Sequence, residues 1–287
     1  MPALTATERN CRYRGTETGS FRRSTVTYRG VVLDLDGTIY RGRDLVPGAR
    51  EALEALRERD VSILFFSNNP TETPEAYADR LADLGIDAAP AEIASAASVT
   101  ATYLTREHRG EEVFLVGSPG LRAQLEDAGV LLTDEPESAD VLLASYDRAF
   151  DYDRLTEALR ALEGETEFVG TDPDMTIPRP DGRLVPGSGA MIHAIAGVAG
   201  REPDAIAGKP SAEAVDRATS VLGVDPGNCL VVGDRLDTDI VLGARCGMDT
   251  ALVLTGVTDE SDLADADPSD TSPDHVLGSI ADLQSLL

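Results

Sequence analysis

From residue 30 onward, short apolar runs alternate with stretches of helical periodicity. Val31-Val32-Leu33 is a run of branched and apolar residues that ends in Asp34-Leu35-Asp36 and then Gly37. A short apolar run closed by a turn signal predicts a buried strand. Pro47-Gly48 precedes Ala49, Ala52, Leu53 and Leu56, which share one helical face. Val61 to Phe66 predicts a second buried strand, stopped by Ser67-Asn68-Asn69-Pro70. Tyr77, Leu81 and Leu84 then recur at helical spacing, with Gly85 just beyond as a stop. The middle of the chain repeats the theme. Strands are predicted at 113–116, 141–144 and 168–169, and helices around 121–128, 155–162 and 190–198. A Pro/Asp/Gly-rich loop spans 171–189. In the last third, Ser211 is placed to cap a helix through Leu222. Leu230-Val231-Val232 is a strand ending at Gly233-Asp234, followed by a helix over about 237–245 and a strand at 251–254. Residues 259–274 read as an acidic loop, before a last strand at 275–277 and a helix at 280–286. Strand and helix in short alternation predict a parallel sheet covered by helices.

Residues 1–28 break this pattern. They are polar, carry Arg9, Arg12, Arg14, Arg22 and Arg23, and predict a disordered extension. They contain no apolar run of the kind a secretory signal needs. No stretch reaches the roughly 18 uninterrupted apolar residues of a membrane span. The three cysteines, Cys11, Cys229 and Cys246, do not form a disulfide framework, and a cytoplasmic location is the default expectation.

Charge narrows the picture further. The chain has 287 residues, 51 of them acidic and 25 basic, for a net charge of −26. Such a surface repels nucleic acid and anionic membranes. It also suits a salt-rich cytoplasm, where counterions screen self-repulsion. Lys209 is the only lysine. Where arginine serves everywhere else, one lysine suggests a compact point charge in a tight pocket.

Four predicted strand ends carry polar groups: Asp34-Leu35-Asp36-Gly37-Thr38, Ser67-Asn68-Asn69, Gly208-Lys209-Pro210, and Gly233-Asp234 with Asp237 and Asp239. Ligands of open parallel sheets sit beyond the carboxyl ends of the strands. Were the four groups to converge, several carboxylates would share one pocket with one hydroxyl and one ammonium. Crowded carboxylates raise one another's pKa. A hard divalent cation with oxygen ligands, Mg²⁺ above all, and the lysine would relieve that repulsion. Asp34 and Asp36, two apart, leave an extended chain on the same face. Gly37 leaves room for close backbone approach. Taken singly, every motif but that of Lys209 has an ordinary explanation as a turn or helix cap; taken in order at strand ends, the four are not accounted for in that way. His108, His193 and His275 are too scattered for a metal site and are expected on the surface or a helix face, while Cys229 and Cys246 are expected in the core.

DLDGT at 34–38, SNN at 67–69, GKP at 208–210 and GDRLDTDI at 233–240 resemble the four motifs of the haloacid dehalogenase-like hydrolase superfamily. Residues 145–152 (SYDRAFDY) and 171–190 are similar to the larger α/β cap of its NagD-like branch, which includes p-nitrophenylphosphatases and phosphoglycolate phosphatases. Two differences stand out: Thr171-Asp172 where that branch has Thr-Asn, and Ser145-Tyr146 where it often has Gly-Leu. The resemblance implies Asp34 as nucleophile and metal ligand. It implies Asp36 as general acid and base, with its carbonyl on the metal. Ser67 and Asn68 would bind phosphate with Lys209, Asp234 would complete the metal site, and Asp239 would stand behind it.

The expected architecture is a three-layer α/β, Rossmann-like parallel-sheet core from 29–96 and 205–287, with an inserted α/β cap from 97–204. The cap loop 171–189 would supply substrate contacts, with Asp172 and Asp174 as candidates. The expected activity is Mg²⁺-dependent hydrolysis of a small phosphorylated metabolite (phosphoglycolate, a sugar phosphate or a nucleotide). A phosphotransferase or mutase using the same aspartyl-phosphate stays open, as does a silent binding protein. The resemblance also points to a homo-oligomer through the cap.

Overall fold

The computed structural model describes residues 27–179, 183–265 and 272–287. The extension expected over 1–28 lies outside the described residues except at its end. There Tyr28 is buried and donates its hydroxyl proton to Asp249 Oδ2 at 2.9 Å.

Six parallel strands form the first sheet, in the order His275–Leu277, Asp249–Val253, Cys229–Gly233, Gly30–Leu33, Ser62–Ser67, Ile93–Ser95. Period-two alternation assigns the side chains to two faces. Val31, Leu33, Ile63, Phe65, Leu230 and Val232 join one core with Leu53 and Leu56 of helix Ala49–Arg57 and with Leu81 of helix Pro74–Asp83. Val32, Leu64, Phe66 and Val231 join the opposite core with Ala214, Ala218 and Leu222 of helix Ala212–Leu222. Both faces are therefore covered, which is why these strands read as unbroken apolar runs.

A second parallel sheet of five strands runs Ala205–Ile206, Glu167–Gly170, Val141–Ala144, Glu112–Val116, Leu131–Thr133. It repeats the layering, with Phe114, Leu142 and Phe168 facing helices Tyr152–Ala161 and Ser188–Ala199, and Val113, Leu115 and Leu143 facing helix Pro119–Asp127. Helix Ala96–Glu107 serves both sheets. Its Val99 packs into a core of the first, while Ala97, Ala101 and Leu104 pack into a core of the second.

Several details depart from the sequence expectations. The first strand ends at Leu33, so Asp34 to Asp36 lie beyond it, and Asp36 makes only an isolated bridge to Tyr40. The expected loop 171–189 contains an antiparallel ribbon, Thr176–Pro178 with Leu184–Pro186. The acidic segment expected as a loop forms helix Glu260–Asp265. The helix expected over 237–245 begins with a π-helical turn, Leu236–Ile240, before the α-helix Val241–Cys246. Of the surface and helix-face alternatives for His108 the first does not hold: it caps helix Ala96–Glu107 and is buried, with Nδ1 2.8 Å from Glu111 Oε2 and Nε2 3.4 Å from Glu167 Oε1. Cys229 is buried and Cys246 half-buried. Among the described residues no helix is long and apolar enough to cross a membrane.

Candidate active site

All four polar strand ends meet at the carboxyl edge of the six-stranded sheet. Asp34 follows the central strand Gly30–Leu33, Ser67 ends Ser62–Ser67, and Asp234 follows Cys229–Gly233. Lys209 follows strand Ala205–Ile206 of the second sheet and turns back toward Asp34.

Lys209 is 1% exposed, and its ammonium donates three hydrogen bonds: to Asp34 Oδ1 at 2.6 Å, Asp239 Oδ1 at 2.7 Å and the Phe66 carbonyl at 2.7 Å. Three donors meet three acceptors, so the charge is fully satisfied. Asn68 fixes the backbone of the same residue. Its Oδ1 accepts from Lys209 N–H at 2.8 Å and its Nδ2 donates to the Lys209 carbonyl at 3.1 Å. The Asn68 amide also lies 3.3 Å from Asp174 Oδ1. Ser67 Oγ accepts from Asn69 N–H at 3.1 Å and from the Tyr77 hydroxyl at 3.3 Å.

Asp34, Asp234 and Asp239 each present a carboxylate oxygen, all within 4.8 Å of one another. Asp239 is in direct contact with Lys209. Its Oδ2 also accepts from Arg235 N–H at 3.1 Å. Asp234 Oδ2 accepts from Val257 N–H at 2.6 Å. The loop carrying Val257 is tied to the DLDGT segment, because Thr255 Oγ1 donates to the Gly37 carbonyl at 2.6 Å.

Electrostatics follows from this crowding. Burial pushes the Asp34 carboxyl well above the usual carboxylate range; Lys209 opposes it, while Asp239 and Asp234 push it further. Burial and the neighbouring Asp239 push Asp234 up to about 7, against the Val257 hydrogen bond. Burial works against the charged form of Lys209, but Asp239 and Asp34 outweigh it and raise its pKa. Asp36 is pushed up to about 6 by burial, with Arg80 pulling down and Glu72 pushing up. Three carboxylates around one ammonium leave excess negative charge, and their oxygen-only donor set fits a hard divalent cation.

The cluster opens into a cavity of about 380 Å³ lined by Asp34, Asp36, Ser67, Lys209 and Asp234 from the strand ends. Asp172, Asp174 and the ribbon residues Thr176 to Arg179 line its far side. Asp172 is fully enclosed, and burial with the adjacent Asp174 pushes its carboxyl up to about 8. The Thr171 hydroxyl lies 2.9 Å from Asp172 Oδ2 and 2.8 Å from Ser145 Oγ. The two positions that differ from the NagD-like pattern therefore meet through one hydroxyl.

Some lining residues had no assigned role in the sequence. Arg80 pairs with Glu72 and reaches the Tyr40 hydroxyl at 3.4 Å. Nothing in the periodicity of its helix marks it. Arg235 Nη2 donates to the Thr176 carbonyl at 2.9 Å, bridging the two sheets' loops. Its place beside Asp234 in GDRLDTDI is the one available signal.

The chain is similar to known proteins over most of its length. A family model described as haloacid dehalogenase-like hydrolase matches residues 31–131, and a second, HAD-hydrolase-like model matches 206–283. An acid sugar phosphatase of Staphylococcus haemolyticus is 36% identical over 244 residues, covering 85% of this chain and 92% of that protein. Among solved structures, a p-nitrophenyl phosphatase from Archaeoglobus fulgidus superposes with a TM-score of 0.83 at 34% identity, over 91% of this chain and 100% of the other. NagD from E. coli K-12 superposes with a TM-score of 0.78 at 29% identity, over 89% and 98%. The chain belongs to the haloacid dehalogenase-like hydrolases, on the branch of NagD and the p-nitrophenylphosphatases.

Proposed function

We propose that this protein is a Mg²⁺-dependent phosphatase that hydrolyses small phosphomonoesters through an aspartyl-phosphate on Asp34. One observation carries the reading: Asp34 and Asp239 bind the buried Lys209, and Asp234 completes their carboxylate cluster beside a cavity. Asp34, Asp234 and the Asp36 carbonyl would hold the ion, which when bound neutralises charge on the phosphoryl oxygens.

The chain's own residues account for the rest. Lys209 occupies Asp34 Oδ1, which leaves Oδ2 to attack phosphorus. The new Oδ2–P bond forms as the P–O ester bond breaks, and Asp36 delivers a proton to the departing alkoxide. A carboxyl with a pKa of about 6 suits that task near neutrality. The deprotonated Asp36 then takes a proton from water as its oxygen attacks phosphorus. The Oδ2–P bond breaks, and inorganic phosphate leaves with the Asp34 carboxylate restored. Dividing one hydrolysis into two displacements lowers each barrier. Ser67 Oγ stands ready to donate to a phosphoryl oxygen, and Lys209 compensates its charge. The second sheet and its ribbon act as the cap, limiting substrate size and water access. The acidic composition fits an enzyme of a salt-rich cytoplasm.

Asp34→Asn should lower phosphate release from p-nitrophenyl phosphate by at least about 10³-fold while circular dichroism and melting stay those of a folded protein. Retention of near-normal turnover by that variant removes Asp34 from the mechanism.

A further inference from the structure

The cavity holds more positive charge than phosphoryl transfer uses. Lys209 is engaged by Asp34 and Asp239. Arg80 is paired with Glu72, its guanidinium 5.5 Å from the Tyr40 ring centroid. Arg235 Nε lies 3.9 Å from Asp174 Oδ2, and its Nη2 is bound to the Thr176 carbonyl. Two further arginines line the same cavity, Arg43 and Arg179. Both are exposed, and among the described residues neither side chain has a carboxylate or hydrogen-bond partner.

Their positions add to the contrast. Arg43 sits in the turn between Tyr40–Arg41 and Asp44–Leu45, a small antiparallel pair that follows the DLDGT segment. Arg179 extends the ribbon strand Thr176–Pro178, where its N–H donates to the Arg183 carbonyl at 2.8 Å. One arginine thus comes from the six-stranded side of the cavity and one from the five-stranded side. With 51 acidic residues against 25 basic ones, a surface arginine has abundant carboxylates to pair with. Two that have no partner among the described residues, both lining this cavity, are placed to take a ligand's charge. A guanidinium binds carboxylate or phosphate through a planar fork of donors, and an exposed pair can do so from two sides.

We propose that Arg43 and Arg179 form a second anion subsite, so that the preferred substrates are phosphomonoesters whose organic part carries another anionic group, a carboxylate or a second phosphate. This deepens the phosphatase reading and rests on it. The transferred phosphoryl group lies deep at Ser67 and Lys209, and the second anion lies at the rim.

The test compares kcat/KM of the purified full-length chain with Mg²⁺ on two matched pairs. One pair is 2-phosphoglycolate against ethylene glycol monophosphate, which replaces the carboxylate by a hydroxymethyl group. The other is glucose 1,6-bisphosphate against glucose 6-phosphate. p-Nitrophenyl phosphate reports phosphatase activity as such. The doubly anionic member of at least one pair should be preferred by about tenfold or more, and which pair shows it identifies carboxylate or phosphate. In the double variant Arg43→Gln/Arg179→Gln the ratio should fall to within about threefold, and Arg43→Lys/Arg179→Lys should keep part of it. Equal rates within both pairs, or a preference that survives the double glutamine variant, overturns the subsite while p-nitrophenyl phosphate hydrolysis keeps the phosphatase reading. No phosphate release from any of the five compounds overturns both.

Discussion

Lys209 Nζ donates to three acceptors within 2.7 Å, and the residue is 1% exposed. A planar guanidinium cannot point at three such acceptors from one atom, which explains a lysine in a chain otherwise built with arginine. Asp172 presents the opposite case, a buried carboxyl without a cation. Its pKa of about 8 arises from burial and then from Asp174. The unfolded chain loses this proton at an ordinary carboxylate pKa, so between that value and about 8 the folded state binds more protons. The stability this group contributes is present at low pH and is lost as pH rises toward 8. Asp172→Asn removes the titration and keeps the shape. Relative to the parent, its unfolding free energy should therefore improve by roughly 4 kcal/mol between pH 5 and pH 9. Denaturant unfolding at the two pH values measures this, and a difference that does not change with pH refutes a neutral Asp172. Much of the central cluster was legible from the sequence, because Lys209 and Asp234 stand beside glycine or proline, and Asp34 ends an apolar run with Gly37 three residues on. The direct bond from Asp239 to Lys209 was not, since it depends on the π-helical turn that sets the direction of that side chain.

At the scale of elements, the loop after strand Asp249–Val253 acts as a brace for the site. Val257 N–H holds Asp234 Oδ2, Thr255 holds the Gly37 carbonyl, and Gly256 lies between them. A Cβ at Gly256 would overlap Asp234 Oδ2, and glycine is required there by that approach. Gly256→Ala should displace the Asp234 carboxylate without unfolding the sheet. Phosphatase activity at fixed Mg²⁺ should drop by about 10–100-fold, as when an outer support of a metal ligand is removed. The Mg²⁺ concentration for half-maximal rate should rise; an unchanged Mg²⁺ dependence dissociates this loop from metal binding. No apolar signal in the sequence points to this loop. Strands buried on both faces were legible because their apolar runs are unbroken. Ile93–Ser95 and Leu131–Thr133 were not: three residues carry no period, and both lie at sheet edges where neighbours decide. The ribbon Thr176–Pro178 with Leu184–Pro186 was hidden by its prolines, which argue against a strand except at an edge. Helix Glu260–Asp265 was hidden by its acidic composition, which reads equally as solvated loop.

For the whole molecule, the governing quantity is a net charge of −26 on 287 residues. Ion pairs such as Arg57 with Glu92 and Arg154 with Glu157 use part of the basic complement, but two acids stand for every base. Exposed pairs of this kind contribute about 0–1 kcal/mol each and weaken in salt. Repulsion among the unpaired carboxylates acts over the whole surface and also weakens in salt, with the opposite effect on stability. The screening length falls from about 10 Å at 0.1 M to about 3 Å at 1 M ionic strength. Because the unpaired acids outnumber the pairs, relief of repulsion is the larger effect. The melting temperature should rise with KCl from 0.05 to 1 M by about 4–8 °C, corresponding to roughly 2 kcal/mol for a chain of this size. Measurement with excess chelator keeps divalent cations from contributing. A rise complete by 1 M marks Coulomb screening alone, whereas one continuing into several molar KCl marks salt and water organised by the carboxylates themselves. A flat or falling melting temperature means that the arginine pairs, not the surplus acids, dominate surface electrostatics.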